Sequence, residues 1–173
     1  MATAYELGGE WTDSQSPALS ARVGGTAPAF AAMNGGIYGI QFGTGEGIHG
    51  SFQLPHSAIP GGELRLHVHF TPATAPTATQ TVIWGVEYSI AGVNGTFAAP
   101  TTVTGTYTYT ATTALVHHVQ ALTTATMPSP AQSCIVMMRA YRSGGTSPVE
   151  PFLLSVDGHF QQAQLGTEAE YPA

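Results

Sequence analysis

From Glu63 to Phe70 the chain alternates without a break. Leu64, Leu66, Val68 and Phe70 fall on one side, and Glu63, Arg65, His67 and His69 on the other. A side-chain period of two belongs to a strand with one face in a core and the other outside it. The same texture runs through most of the sequence. Ile37–Phe42, Ile48–Leu54, Thr81–Ile90, Val103–Ala111, Leu115–Leu122, Ser133–Arg142 and Pro151–Gln161 are further short apolar or β-branched runs. Thr81–Ile90 sets Val82, Trp84, Val86, Tyr88 and Ile90 on one side. The last run sets Phe152, Leu154, Val156, Gly158 and Phe160 against Leu153, Ser155, Asp157, His159 and Gln161. Turn-forming residues separate these runs: Gly43–Gly47, read as a hairpin turn, then Pro55 to Gly62, Thr71–Gln80, Asn94-Gly95 and Pro128/Pro130. No stretch long enough for a helix carries an apolar stripe with capping residues. Eight short strands with this spacing predict an all-β chain, an antiparallel β-sandwich of the jelly-roll type.

Residues 1–36 read differently. Gly8-Gly9, Gly24-Gly25, Gly35-Gly36, Pro17 and Pro28 interrupt any period and leave large apolar residues isolated. The expectation is an extended N-terminal arm over 1–36, the sandwich over 37–166 and a C-terminal tail over 167–173. Tyr5, Leu7, Trp11 and Phe30 are the candidate interface residues of that arm, docking on a neighbouring subunit or on a larger shell.

Charge narrows the function. Of 173 residues only 8 % are charged, against about 25 % in ordinary domains. There is no lysine, and four arginines face ten acids. Phosphate neutralisation needs a basic surface, so nucleic acid is excluded as a partner. Nothing reads as a membrane span or as a basic, apolar leader. A surface of Thr, Ser, Gly and Ala suits a protein packed against others. Cys134 stands alone in an apolar run, which allows no internal disulfide and reads as an inert core thiol. Arg139 and Arg142 are each expected to hold an assigned carboxylate or carbonyl partner.

The residues with chemical potential are few. His67 and His69 point to the same face of one strand, and Asp157 and His159 stand in the same i, i+2 relation on the last. If those strands are neighbours, three imidazoles and a carboxylate converge as candidate metal ligands. Gly61 followed by His67-Val68-His69 is similar to the first half of the cupin metal motif. The glutamate of that motif is replaced by Ala73 and Thr74, and its second half has no counterpart. The simpler expectation is hydrogen-bonded packing with no resident cofactor. His117 and His118 are adjacent and face opposite ways on a strand, so they cannot chelate together. No serine sits in a Gly-x-Ser-x-Gly elbow, and no carboxylate pair marks a hydrolytic cleft, so no enzymatic activity is expected.

Three stretches carry a family resemblance: Leu64–Pro72, Val82–Phe97 and Phe152–Gly166. Their order is a His-x-His strand, a Trp-Gly-x-Glu-Tyr strand, a Met-x-Arg strand and an Asp-x-His-aromatic strand ending in Leu-Gly. Together they resemble a jelly-roll domain of virion structural proteins of tailed bacteriophages. The resemblance implies a capsid decoration (cement) protein, a homotrimer that binds the major capsid protein and stabilises the head shell. It implies assembly in the bacterial host cytoplasm and residence on the capsid surface. The alternative is a tail or fibre-associated receptor module with Trp84, Tyr107 or Tyr109 stacking on sugars. A cupin-like metalloprotein using His67, His69 and His159 stands third. The first 50 residues have no counterpart in the family.

Overall fold

The computed structural model describes residues 11–110, 113–127 and 133–162. Strands pair in two antiparallel sheets. The larger contains β1 (Trp11–Pro17), β3 (Ala29–Asn34), β4 (Ile37–Gln41), β6 (Glu63–Pro72), β9 (His118–Ala121), β10 (Ala125–Thr126) and β12 (Pro151–Gln161). The smaller contains β2 (Arg22–Val23), β5 (Gly47–Gln53), β7 (Thr81–Ala91), β8 (Thr101–Thr108) and β11 (Ile135–Gly144). The eight runs of the sequence correspond to β4, β5, β6, β7, β8, β9, β11 and β12. Numbered in that order, the first, eighth, third and sixth lie side by side in one sheet. The second, seventh, fourth and fifth form the other. That is a jelly roll: among these eight, only β7 and β8 pair as a hairpin, and every other link crosses between sheets.

Apolar residues of alternating strands meet between the sheets. Leu64, Leu66, Val68 and Phe70 of β6 face Val82, Trp84 and Val86 of β7, all fully buried. Trp84 anchors this layer, with the rings of Phe42 and Phe70 at 5.5 and 5.6 Å from its own. Each large side chain removed from water here contributes about 1.5–3 kcal/mol before the entropy of ordering is subtracted.

Three sequence expectations are corrected. Residues 11–34 do not project as an arm: β1 pairs β12 from Trp11 opposite Gln161 to Pro17 opposite Ser155. β2 pairs β5, and β3 pairs β4. These are edge or polar strands held by backbone hydrogen bonds, which leave no apolar alternation in the sequence. Gly43–Gly47 is not a hairpin turn, because it carries the chain from β4 in one sheet to β5 in the other. Gly45 N donates to the Arg142 carbonyl at 2.8 Å, and Gly43 N to a Glu46 carboxylate oxygen. In β12 a bulge between Leu153 and Ser155 inserts one residue and reverses the alternation. Leu153 therefore joins Val156 and Phe160 in the core, while Phe152 is buried outside it, against the Gly39 backbone. Tyr5, Leu7 and the tail 167–173 lie outside the described residues.

Candidate functional site

β12 lies between β6 and β1 over its second half, and β9 flanks β6 on the far side. The register sets Asp157 opposite His67 on one side and Gln15 on the other, with His159 opposite Asp13. Because Leu66, Val68 and Phe70 turn inward, His67 and His69 stand on the outer face. Asp157 and His159, which alternate with Val156 and Phe160, stand beside them. Strand adjacency thus brings His67, His69, Asp157 and His159 together.

Asp157 is at the centre and is 1 % exposed, although it lies on the outer face. Its Oδ2 accepts from His69 Nε2 at 3.0 Å and from His159 Nε2 at 2.9 Å. His159 Nε2 is also 3.0 Å from Asp13 Oδ1. A neutral His69 that donates through Nε2 accepts through Nδ1, which fits the His117 Nε2 donor 2.9 Å away. The other edge of the carboxylate is different. Asp157 Oδ1 and His67 Nδ1 are 3.9 Å apart, both enclosed, and neither has a hydrogen-bond partner among the described residues. Burial pushes the His67 pKa below its ordinary value, and the neighbouring His159 pushes the same way against the attraction of Asp157. The His67 and His159 rings meet edge to face with centroids 4.0 Å apart.

Asp13 and His117 complete this network, and both escaped sequence reasoning. Asp13 sits in the polar run Trp-Thr-Asp-Ser-Gln-Ser-Pro, which gives no strand signal, and His117 precedes the short β9. His117 and His118 do part ways as expected. His118 turns inward, its Nδ1 2.8 Å from the Tyr107 hydroxyl, among Phe70 and Tyr109.

Three of the four arginines are engaged. Arg65 pairs with Glu63 at 2.6 Å and lies 4.3 Å above the Trp11 ring. Arg142, buried, donates to the carbonyls of Ser147 at 2.6 Å and Phe42 at 3.3 Å. Arg139 approaches Glu87 at 3.9 Å. Cys134 is buried in the core, and burial raises its thiol pKa.

Of the interface candidates, Trp11 is 41 % exposed beneath Arg65, and Phe30 is 65 % exposed. Phe30 on edge strand β3 stacks on Tyr38 of β4 at 5.3 Å, and Ile37 beside it is 60 % exposed. Tyr38 alternates with Ile40 and Phe42, so this pair lies on the face that Phe42 turns to the core, where the hairpin is left uncovered. The sugar-stacking candidates are placed otherwise. Trp84 and Tyr109 are buried in the core, and Tyr107 is bound to His118, so none offers a face to a glycan.

No family model matches the chain, and no curated protein matches it in sequence. Solved structures similar to it include the isomalto-dextranase of Arthrobacter globiformis T6 complexed with panose (TM-score 0.48, 17 % identity, 84 % of this chain and 23 % of that one). The infectious bursal disease virus Gx strain structure is similar over 94 % of this chain and 35 % of the other (TM-score 0.40, 15 % identity). The Clostridium thermocellum xylanase 10B CBM22-1–GH10 modules complexed with xylohexaose are similar over 94 % of this chain and 27 % of the other (TM-score 0.38, 11 % identity). The chain therefore spans about a quarter to a third of the length of each of these proteins. These are likenesses of the β-sandwich alone, and no residue role is carried over from them. No helix among the described residues is long and apolar enough to cross a membrane.

Proposed function

We propose that this chain is a virion structural protein of a tailed phage, a capsid decoration protein that binds the head shell as a homotrimer. The observation that carries this reading is the β3–β4 hairpin. Among the described residues it ends the larger sheet on an unpaired strand edge and exposes the stacked pair Phe30 and Tyr38 on one face, in a chain with very little charge. Exposed edges and clustered apolar side chains are normally blunted in free monomers. A neighbouring copy covering these side chains gains about 1.5–3 kcal/mol for each one fully buried. A cyclic trimer joins two different patches on each copy. The larger sheet offers the β3 edge, and the smaller sheet offers edges at β2 and β8. Three joined copies then bind a symmetric shell far more tightly than one. In this reading the protein carries out no reaction.

The test has two parts: the mass of the purified chain by analytical ultracentrifugation, and its co-sedimentation with shells of the phage that encodes it. A trimer that pellets with shells and raises their rupture temperature supports the proposal. A monomer that stays in the supernatant overturns it.

A second reading, a glycan-binding module of a tail or fibre, draws on another feature. His49, Glu87, Ser89 and Arg139 line an open depression of about 260 Å3 on the smaller sheet. Saturable binding on a glycan array, lost in Glu87→Gln, supports that reading over the first.

A further inference from the structure

We propose that His67, Asp157 and His159 form a site for one divalent transition-metal ion, zinc fitting best, which ties β6 to β12 on the outer face of the larger sheet. The ligand atoms of these three residues lie within 4.8 Å of one another. His67 Nδ1 and Asp157 Oδ1 are enclosed, without a hydrogen-bond partner among the described residues, and 3.9 Å apart. A buried acceptor without a donor carries a desolvation penalty that native structures rarely leave unanswered. A neutral imidazole nitrogen facing a carboxylate oxygen is such an arrangement, and a cation between them satisfies both.

Charge points the same way. With neutral imidazoles, Asp13 and Asp157 leave two negative charges on the cluster. The nearest guanidinium on this face, that of Arg65 opposite His159, is already held by Glu63 and stacked on Trp11. A divalent ion balances that charge.

The donor set selects the ion. Two imidazole nitrogens and one carboxylate oxygen suit zinc, whereas calcium and magnesium take shells of oxygen; His159 ligates through Nε2 once the proton it shares with Asp157 and Asp13 has moved to Nδ1. Zinc holds such ligands at about 2.0–2.2 Å, so two donors on a tetrahedral ion stand about 3.4 Å apart. The 3.9 Å gap closes by about half an ångström, within the reach of side-chain torsions. The surroundings resemble an outer shell already in place. His69, itself bonded to His117, fixes Asp157 Oδ2 and leaves Oδ1 free to ligate. Solvent fills the fourth position.

The test is equilibrium dialysis of the chelator-treated full chain against zinc chloride, with metal content, thermal melting and cobalt(II) spectra as readouts. The expected result is about one zinc per chain and a raised melting temperature. The cobalt form should show the strong visible bands of a tetrahedral site, and calcium should have no effect. His67→Gln and His159→Gln each weaken zinc binding by about tenfold or more, while His49→Gln on the other sheet leaves it unchanged. Zinc below stoichiometric amounts, or bound equally well by His67→Gln and His159→Gln, overturns the site in favour of a bridging water or adventitious binding. The cobalt spectrum of the unmodified chain decides the matter even if a variant fails to fold. The outcome is independent of whether the protein binds a shell.

Discussion

His69 Nε2 donates to Asp157 Oδ2 across 3.0 Å, while the Oδ1 of the same carboxylate accepts from no group among the described residues. One buried carboxylate therefore has a satisfied edge and an open one, and the two edges respond differently to substitution. Asp157→Ala removes the acceptor of both His69 and His159 and should cost about 2–4 kcal/mol. Asp157→Asn can keep an oxygen toward the two donors and turn its amide toward His67 Nδ1. It should stay within about 1 kcal/mol of the parent protein, since one net hydrogen bond is worth about that much. Urea denaturation of metal-free protein measures both values. Equal losses in the two variants would refute the asymmetry.

The pH dependence of stability follows from His67 and His118, both pushed below the ordinary histidine pKa chiefly by burial. The unfolded chain takes up their protons near pH 6.5, the folded chain only at lower pH. Between those values the unfolded state binds more protons, so stability rises with pH. The protection is complete above the unfolded pKa and is lost as pH falls through and below it. Melting temperatures of metal-free protein should drop between pH 7.5 and pH 5, where both chosen values bracket the roughly 6.5 reference. The drop should be shallower in His118→Gln. A flat profile would contradict the assigned burial.

The eight strands that carry the jelly roll were legible because each pairs an apolar face with a polar one, as β6 does from Glu63 to Phe70. β1, β2, β3 and β10 were not, because their place is fixed by backbone hydrogen bonds to β12, β5, β4 and β6. Trp11–Pro17 buries Ser16 and exposes Trp11, the reverse of what hydropathy suggests. The outer-face cluster was half legible. The spacings His67/His69 and Asp157/His159 named four residues, but only the pairing of the third strand of the roll with its last brings them together. Asp13 needed the same long-range knowledge. The bulge at Leu153–Ser155 was invisible, since one inserted residue changes the facing of Phe152 without changing its composition.

Trp84 should be the most sensitive core position. Its ring contacts Phe42 and Phe70, and truncation to Ala should cost about 3–5 kcal/mol, as for other buried aromatic residues. The indole nitrogen is buried with no partner among the described residues, so Trp84→Phe also removes an unsatisfied donor. That variant should lose about half as much or less. Guanidinium unfolding followed by circular dichroism distinguishes the two, and a Phe variant as unstable as the Ala variant would refute the argument.

Gly145 holds the loop that brings the Ser147 carbonyl to Arg142. Its φ of +115° is closed to other residues, and a Cβ there would run into the Thr81 carbonyl oxygen. Gly145→Ala should cost about 2 kcal/mol or more. The loss should be nearly as large in the Arg142→Met background, because the collision is with backbone. Thermal melts of the single and double variants check this, and a neutral Gly145→Ala would show that the loop gives way.

Phe30 and Tyr38 form the exposed stacked pair of the edge hairpin, and neither belongs to the main core. Replacing both with Ser therefore removes association energy without opening a cavity. If the hairpin joins copies of the chain, the lost contacts amount to about 3–6 kcal/mol per interface. A shift of that size weakens association by a hundredfold or more, at about 1.4 kcal/mol for each factor of ten. Sedimentation of Phe30→Ser/Tyr38→Ser should give a monomer at concentrations where the parent forms the proposed trimer, with unchanged far-ultraviolet dichroism. A double variant that remains trimeric would place the interface elsewhere. The β2 and β8 edges of the smaller sheet, which carry none of this stacked pair, would then be the surfaces to substitute.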